Sequence, residues 1–278
     1  MTRIVPFTKN RQAIYNFLSR ARKFHCTSNT IHEFDVTEML KAYKEAKATA
    51  EPVSLNACLI KATSLVIEKF PRLNHHLFHG ILRKYEVEFD EISCNMVMLR
   101  EHDDELILLP VIIERTNELS LNQIDEVIAY HLKTPLHDLP QVQGMQKMKA
   151  LPVLGMKLFS YLCRSNHRFY RKYFGTYGYS SLITEDERVW QEDRLGIIST
   201  SVANTGVAFQ PTSISMQPFV IDDQVLPRST LTMTVLGDHY LLDAHYGLMA
   251  MRYFRTLLEN PQMIGLPARL ELGKQEAS

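Results

Sequence analysis

His239 and Asp243 stand four residues apart in the run Asp238-His-Tyr-Leu-Leu-Asp-Ala. An imidazole is the side chain that takes up and releases a proton in the neutral range. A carboxylate nearby is one way to hold such a base in place. The residues before it support that role. Thr230, Thr232 and Thr234 alternate with Leu231, Met233 and Val235, a period of two that predicts a strand with one buried face. That strand delivers His239 to a turn, and a helical pattern, Leu248-Met-Ala-Met-Arg-Tyr-Phe-Arg-Thr-Leu-Leu, begins shortly after Asp243. A histidine at the end of a rigid strand is well placed to act as a general base. A plainer reading fits the same residues. Asp243 suits the N-cap of the last helix, and His239 suits an ordinary turn. Spacing alone does not separate the two.

The wider sequence adds to this. Asp238 to Ala244, followed by Arg252-Tyr-Phe-Arg-Thr-Leu-Leu-Glu-Asn-Pro261, resembles the DHRxxDG…RFLxxLxxLLEDP ending of a known family. These are the catalytic domains of the dihydrolipoyl acyltransferases of 2-oxo acid dehydrogenase complexes. Chloramphenicol acetyltransferase shares their fold and has the related HHxxxDG. Other stretches are similar in the same order. Val5-Pro-Phe-Thr-Lys-Asn-Arg-Gln-Ala-Ile resembles the opening VPLTxxRKAI, and Asp35-Val-Thr-Glu-Met-Leu the DVTxL step from strand to helix. Ile60-Lys-Ala with Phe70-Pro-Arg-Leu-Asn resembles the KA…FPxLN helix, and Leu106-Ile-Leu-Leu-Pro-Val-Ile the GLVVPVI strand. Gly175-Thr-Tyr-Gly-Tyr-Ser-Ser-Leu resembles GTFTISSL. There are departures. Ala244 replaces the glycine of DG, and no glycine follows Ser181-Leu182. A second placement of the serine strand, Ile198-Ser-Thr-Ser-Val-Ala-Asn-Thr-Gly206, resembles FTISNLG but puts Ala203 where the serine belongs. The first placement matches at more positions and is preferred.

The resemblance implies an α/β two-layer fold, a chloramphenicol acetyltransferase-like mixed sheet with packed helices. It implies a stand-alone, coenzyme-A-dependent acyltransferase. An acyl group would pass from a thioester to a thiol, hydroxyl or amine, with no covalent enzyme intermediate. His239 would be the general base, and Ser180 would donate to the oxyanion. Asp243 would pair with Arg11 and hold the histidine turn. Both roles rest on the resemblance. The family builds its active site between subunits, so a homotrimer is expected. The polar ending Leu270-Glu-Leu-Gly-Lys-Gln-Glu-Ala-Ser favours a free trimer over a large cage. Lipoyl and subunit-binding domains precede the catalytic part in the complexes. None is found here, so an ordinary core-subunit role is not expected. A non-catalytic assembly or scaffold member of the same fold is the alternative. The Asp-His dipeptide fits the lipoyl branch better than an antibiotic acetyltransferase.

Composition agrees with one catalytic domain over residues 1–265, with a polar tail over 266–278. A chain of 278 residues, 45% hydrophobic, can bury a full core. Lys+Arg and Asp+Glu are equal at 31 each, so no global basic field draws nucleic acid. The N-terminus lacks the apolar stretch of a signal peptide, and the apolar runs are too short to span a bilayer. Cys26, Cys58, Cys94 and Cys163 are scattered with no CxxC. They read as reduced thiols of a cytoplasmic protein, with no metal site.

Several elements have local signals. Thr37 can cap a helix to about Ala48. Ser54 can cap the next, which Pro71 stops. Ser120 and Gln123 fit a capping box. Tyr85–Phe89 and Cys94–Leu99 read as strands, and Leu106–Ile113 as a strand buried on both faces. Late strands are expected near 197–202, 213–217, 219–221 and 230–236, with a hairpin turn at Asp222-Asp223. Residues 135–174 form a helical insertion relative to the family. Arg164 to Phe174 mixes cations with Phe169, Tyr170, Tyr173 and Phe174. It reads as an acyl-chain wall, a phosphate clamp or a membrane-surface contact. A scaffold hairpin with a solvated basic face is the other reading. His75 and His76 lack a carboxylate or cysteine at metal-ligand spacing. His25 and His79 read as surface or partly buried residues.

Overall fold

The alternation at Thr230–Val235 does form a strand, longer than the pattern alone suggests. In the computed structural model it is β8 (Gln224–Asp238), and it turns back on β7 (Val207–Ile221). Residues 15, 19, 22–49, 52–102, 105–149, 153–183 and 205–267 are described. Asp222 and Asp223, at φ 49° and 60°, make the hairpin turn between the two strands. Two positive φ values in a two-residue loop match the right-handed twist of the flanking strands. The short strands expected at 213–217 and 219–221 are therefore parts of one element. The strand expected at 197–202 lies outside the described residues.

Among the described residues a six-stranded mixed sheet runs in the order β1-β8-β7-β6-β4-β5, with β1 (Thr27–Asp35), β4 (Cys94–His102), β5 (Glu105–Ile113) and β6 (Tyr177–Tyr179). β6 is parallel to both neighbours, and the other pairings are antiparallel. A separate hairpin joins β2 (His75–His79) to β3 (Lys84–Glu88). The expected two-layer mixed sheet with packed helices is the architecture observed. Leu106–Ile113 differs from expectation. It lies in β5 at the sheet edge, where Leu109, Val111 and Ile113 are buried but Leu108 is 44% exposed. An edge position also accommodates Pro110, which has no N–H to donate.

Helices α1 (Thr37–Lys47), α2 (Leu55–Lys69) and α3 (Leu121–Lys133) follow their sequence signals closely. Ser54 accepts from the Ala57 N–H, and Ser120 and Gln123 form the reciprocal capping box. Thr37 does not cap α1. Its hydroxyl accepts from the Ser229 N–H, and Asp35 takes the Thr37 N–H instead. Residues 135–174 contain α4 (Pro140–Lys149), α5 (Val153–Ser165) and α6 (His167–Phe174). The last long helix, α7 (Ala244–Glu259), packs on α1, α2 and β1. Phe254 meets Phe34 edge-on at 5.0 Å. Both rings are almost fully buried, and burial of such a side chain is worth about 1.5–3 kcal/mol. Leu231 pairs with Phe34, so Leu231, Met233 and Val235 share the helix-facing side. Thr230, Thr232 and Thr234 are also buried, on the opposite face, so β8 has no open side at these residues. No helix among the described residues is long and apolar enough to cross a membrane.

Candidate active site

β8 ends at Asp238, and the chain turns sharply. The Leu241 and Leu242 N–H groups both donate to the Asp238 carbonyl. His239 sits on this turn and is exposed. Its backbone is nevertheless fixed. The His239 N–H donates to the Cys26 carbonyl at 2.8 Å, and the Cys26 N–H donates to Asp238 Oδ1 at 3.2 Å. The turn is thus tied in both directions to the chain entering β1. Among the described residues, the His239 imidazole has no hydrogen-bond partner. A fixed backbone carrying a free, solvent-facing imidazole suits a group that must meet a substrate proton.

Asp238 organises this end of the sheet. It is fully buried and accepts from His25 Nδ1 at 2.8 Å, the Cys26 N–H and the Tyr240 N–H. Burial alone would raise its pKa. The hydrogen bonds from His25 and the two backbone amides, with the charge of His25, outweigh that and hold the carboxyl below its usual range. The Asp238 N–H donates to the Gly206 carbonyl. Gly206 lies so close to β2 that a Cβ there would fall 1.9 Å from the His75 carbonyl oxygen.

Ser180 follows β6. Tyr177 and Tyr179 turn to the helices, where Tyr177 joins a buried hydroxyl network with Ser64 and Thr116, and Tyr179 donates to Asn56. Alternation puts Ser180 on the opposite face. The strand-like pairing continues past Tyr179, since the Ser180 and Leu182 N–H groups donate to the Phe209 and Pro211 carbonyls. Gly175, at φ 61° and with a would-be Cβ 2.7 Å from the Ser93 carbonyl oxygen, makes the entry from α6 into β6.

The structure does not bring Ser180 and His239 together within one chain. Register carries Ser180 to the level of Gln210 and Thr234, two strands across and five residues before His239. Strand spacings of ~4.8 Å and rises of ~3.3 Å per residue put their backbones on the order of 19 Å apart. Asp243 lies at the start of α7, exposed, and its side chain accepts from the Tyr246 N–H at 2.9 Å. It is an N-cap in this geometry. Arg11, its expected partner, lies outside the described residues, as do Ser201 and Ala203 of the second serine placement.

Sequence reasoning missed the neighbours of Asp238. His25 is partly buried, one of the two readings its sequence allowed, but its bond to Asp238 had no sign there; its side chain is 8% exposed. His76 is buried, with its ring 5.3 Å from His25 and stacked on Tyr170 at 4.3 Å. Burial and the neighbouring His25 push the His76 pKa down to about 3. His75 pairs with Glu86 and Glu88 across the β2–β3 hairpin. Tyr170 belongs to α6, so that helix reaches this end of the sheet. Arg164 lies over the Phe24 ring at 4.7 Å, and Tyr85 donates to the Ser165 carbonyl. The Asp-His dipeptide was the available signal for Asp238. His25 had no local one.

Comparison with known proteins agrees with the resemblance read in the sequence. Residues 1–134 match the family model described as the 2-oxoacid dehydrogenases acyltransferase (catalytic domain). A probable dihydrolipoamide acetyltransferase from Listeria monocytogenes 4b F2365 is 18% identical, over 93% of this chain and 95% of that one, at TM-score 0.65. The Azotobacter vinelandii dihydrolipoamide acetyltransferase is 17% identical over 95% and 94%, at TM-score 0.67. A serine, a histidine and an asparagine of that protein have been investigated for their role in its catalytic mechanism. The cubic core of the pyruvate dehydrogenase multienzyme complex is 15% identical over 95% and 94%, at TM-score 0.66. No curated protein matches the chain in sequence. The chain therefore has the fold of the acetyltransferase cores, with the family match confined to its first part.

Proposed function

We propose that this protein is an acyltransferase that moves an acyl group from a coenzyme A thioester to a thiol, hydroxyl or amine. The observation that carries the reading is His239 itself, an exposed imidazole on a turn whose backbone is pinned to the chain entering β1. His239 takes the proton from the attacking group as its lone pair adds to the thioester carbonyl. The resulting oxyanion accepts a hydrogen bond from the Ser180 hydroxyl; loss of one such donor typically costs ~10²–10³ in rate. The tetrahedral intermediate collapses and expels the thiolate of coenzyme A, which takes the proton from the His239 imidazolium and restores the neutral base. No enzyme-bound acyl group is needed, because both substrates meet in one site and proximity lowers the barrier.

The separation of Ser180 from His239 supports a site shared between copies, with His239 of one subunit facing Ser180 of its neighbour in a homotrimer. Asp243 and Arg11 hold the turn in this reading. The protein works in the cytoplasm, and no residue is assigned to the coenzyme. A thiol-release screen tests the proposal, using acyl-CoAs of several chain lengths against a panel of acceptors that includes dihydrolipoamide. Acceptor-dependent release is the expected result. Release no faster than the uncatalysed background for every pair contradicts the reading.

A further inference from the structure

Asp238 receives three donors from two distant parts of the chain: the His25 imidazole, the Cys26 N–H and the Tyr240 N–H. One of these, Tyr240, adjoins His239, and His239 itself donates to the carbonyl of a second, Cys26. Behind His25 stands the His76 ring, and behind His76 the Tyr170 ring of the insertion. A continuous series of contacts therefore runs from α6 through His76 and His25 to Asp238 and the His239 turn. Its members are mostly buried, whereas His239 is exposed.

We infer that His25 and Asp238 are positioning residues for His239, and that the insertion backs them through Tyr170 and His76. The catalytic role of His239 on which this rests is the one proposed above. Asp238 acts as the hub. Its carboxylate accepts on both oxygens, so it sets the start of β1 and the turn after β8 relative to each other. His25 keeps the carboxylate oriented by occupying Oδ2, leaving Oδ1 for the two amides. Without that imidazole, the buried carboxylate lacks a donor and is free to rotate away from the turn. Displacement of a reacting group by about 1 Å can cost ~10²-fold in rate, so small movements of this turn matter. The insertion then has a task different from walling a pocket: it closes off the outer side of the His76–His25 pair.

Two readouts test this, one of them independent of activity. Variants His25→Phe and His25→Gln are made in the full chain, with Asp238→Asn as a second route. Hydrogen exchange of the His239 and Tyr240 amides is followed by mass spectrometry or NMR, with β5 amides as reference. Loss of a hydrogen bond to a charged group predicts exchange faster by ~10–100-fold at the turn in His25→Phe, with β5 unchanged. Gln offers an N–H in place of the imidazole and restores part of the protection. In parallel, kcat falls about tenfold or more in His25→Phe while KM for the acyl-CoA stays within about twofold, as expected for loss of alignment. Turn exchange unchanged in both His25→Phe and Asp238→Asn overturns the inference. So does a kcat within twofold of wild type in both. Wild-type protein with no transferase activity sinks the catalytic reading alone; the exchange data still decide whether His25 and Asp238 hold the turn.

Discussion

The His76 imidazole lies nearly parallel to the Tyr170 ring, centroids 4.3 Å apart and planes 22° apart. This stack joins α6 to the histidine end of the sheet, and the burial of His76 beneath it has a consequence for acid stability. His76 is buried and its pKa is lowered to about 3, with His25, Asp238 and His79 as its charged or titratable neighbours. The unfolded chain binds a proton near the ordinary histidine value of 6.5, and the folded chain does not until about 3. The unfolded state thus holds more protons across that window, and stability falls as pH drops through it. Asp238, with its lowered pKa, acts in the same direction below the usual carboxylate range. Denaturant midpoints measured from pH 7 to pH 4 should decline, and His76→Phe should flatten the decline. An equally steep decline in that variant assigns the acid sensitivity to other groups.

Gly206→Ala should destabilise the protein strongly. The new Cβ would meet the His75 carbonyl oxygen at 1.9 Å, so strand β2 or β7 must move. Forced overpacking of this kind costs about 3 kcal/mol or more. Gly144→Ala and Gly247→Ala serve as controls, because nothing lies within 4 Å of either would-be Cβ and both glycines are in helices. They should stabilise by about 0.5–1 kcal/mol. Urea unfolding separates the cases. A Gly206→Ala midpoint equal to wild type contradicts the close approach.

Ser180→Ala should lower kcat by ~10²–10³ with little change in KM, since an oxyanion donor acts mainly in the transition state. Ser201→Ala is the matched comparison for the second serine placement. Steady-state kinetics of the two variants decide between them: a damaged Ser201→Ala and an unaffected Ser180→Ala would move the site strand.

The aromatics of residues 135–174 form two groups, and Tyr170 of the second packs outward on His76, Phe78 and Phe89. Phe159, Phe169 and Tyr173 form a mutual cluster with centroids 4.9–5.5 Å apart, and Phe174 stacks on Tyr170. Phe159→Ala should therefore destabilise by about 2–3 kcal/mol, at the low end for a large aromatic because the side chain is half-buried. If these rings also wall an acyl pocket, rates should rise with acyl length beyond acetyl, and Phe159→Ala, Phe169→Ala or Phe174→Ala should flatten the rise. Chain-length profiles measured below the variants' melting range separate packing from selectivity. A profile that peaks at acetyl-CoA in wild type and variants alike leaves the rings a packing role.

Local chemistry made much of the fold readable. Ser120 and Gln123 specify a helix start through four adjacent residues, and Asp222-Asp223 specify a hairpin by tolerating positive φ. Leu106–Ile113 misled because an apolar run looks alike in a central strand and in an edge strand; Leu108 shows which it is. His239 was legible because strand, turn and helix signals surround it. His25 was not, because its partner Asp238 is 213 residues away and nothing near His25 marks the pairing. Asp243 had two readings in the sequence; its side chain on the Tyr246 N–H meets the capping one, and Arg11 of the other lies outside the described residues.

The proposed active site sets His239 of one subunit against Ser180 of another. His239→Ala should retain the fold but lose transfer by ~10²–10⁴, the usual contribution of a general base. The direct measurement is acyl transfer by mixed oligomers, made by co-expressing His239→Ala and Ser180→Ala chains with different tags and purifying through both. Each variant alone is inactive or nearly so. In a mixed oligomer, some interfaces pair an intact His239 from the Ser180→Ala chain with an intact Ser180 from the His239→Ala chain. A site shared between subunits gives activity at a sizeable fraction of wild type, far above either variant. Mixed oligomers no more active than the parent variants would contradict a site built between subunits.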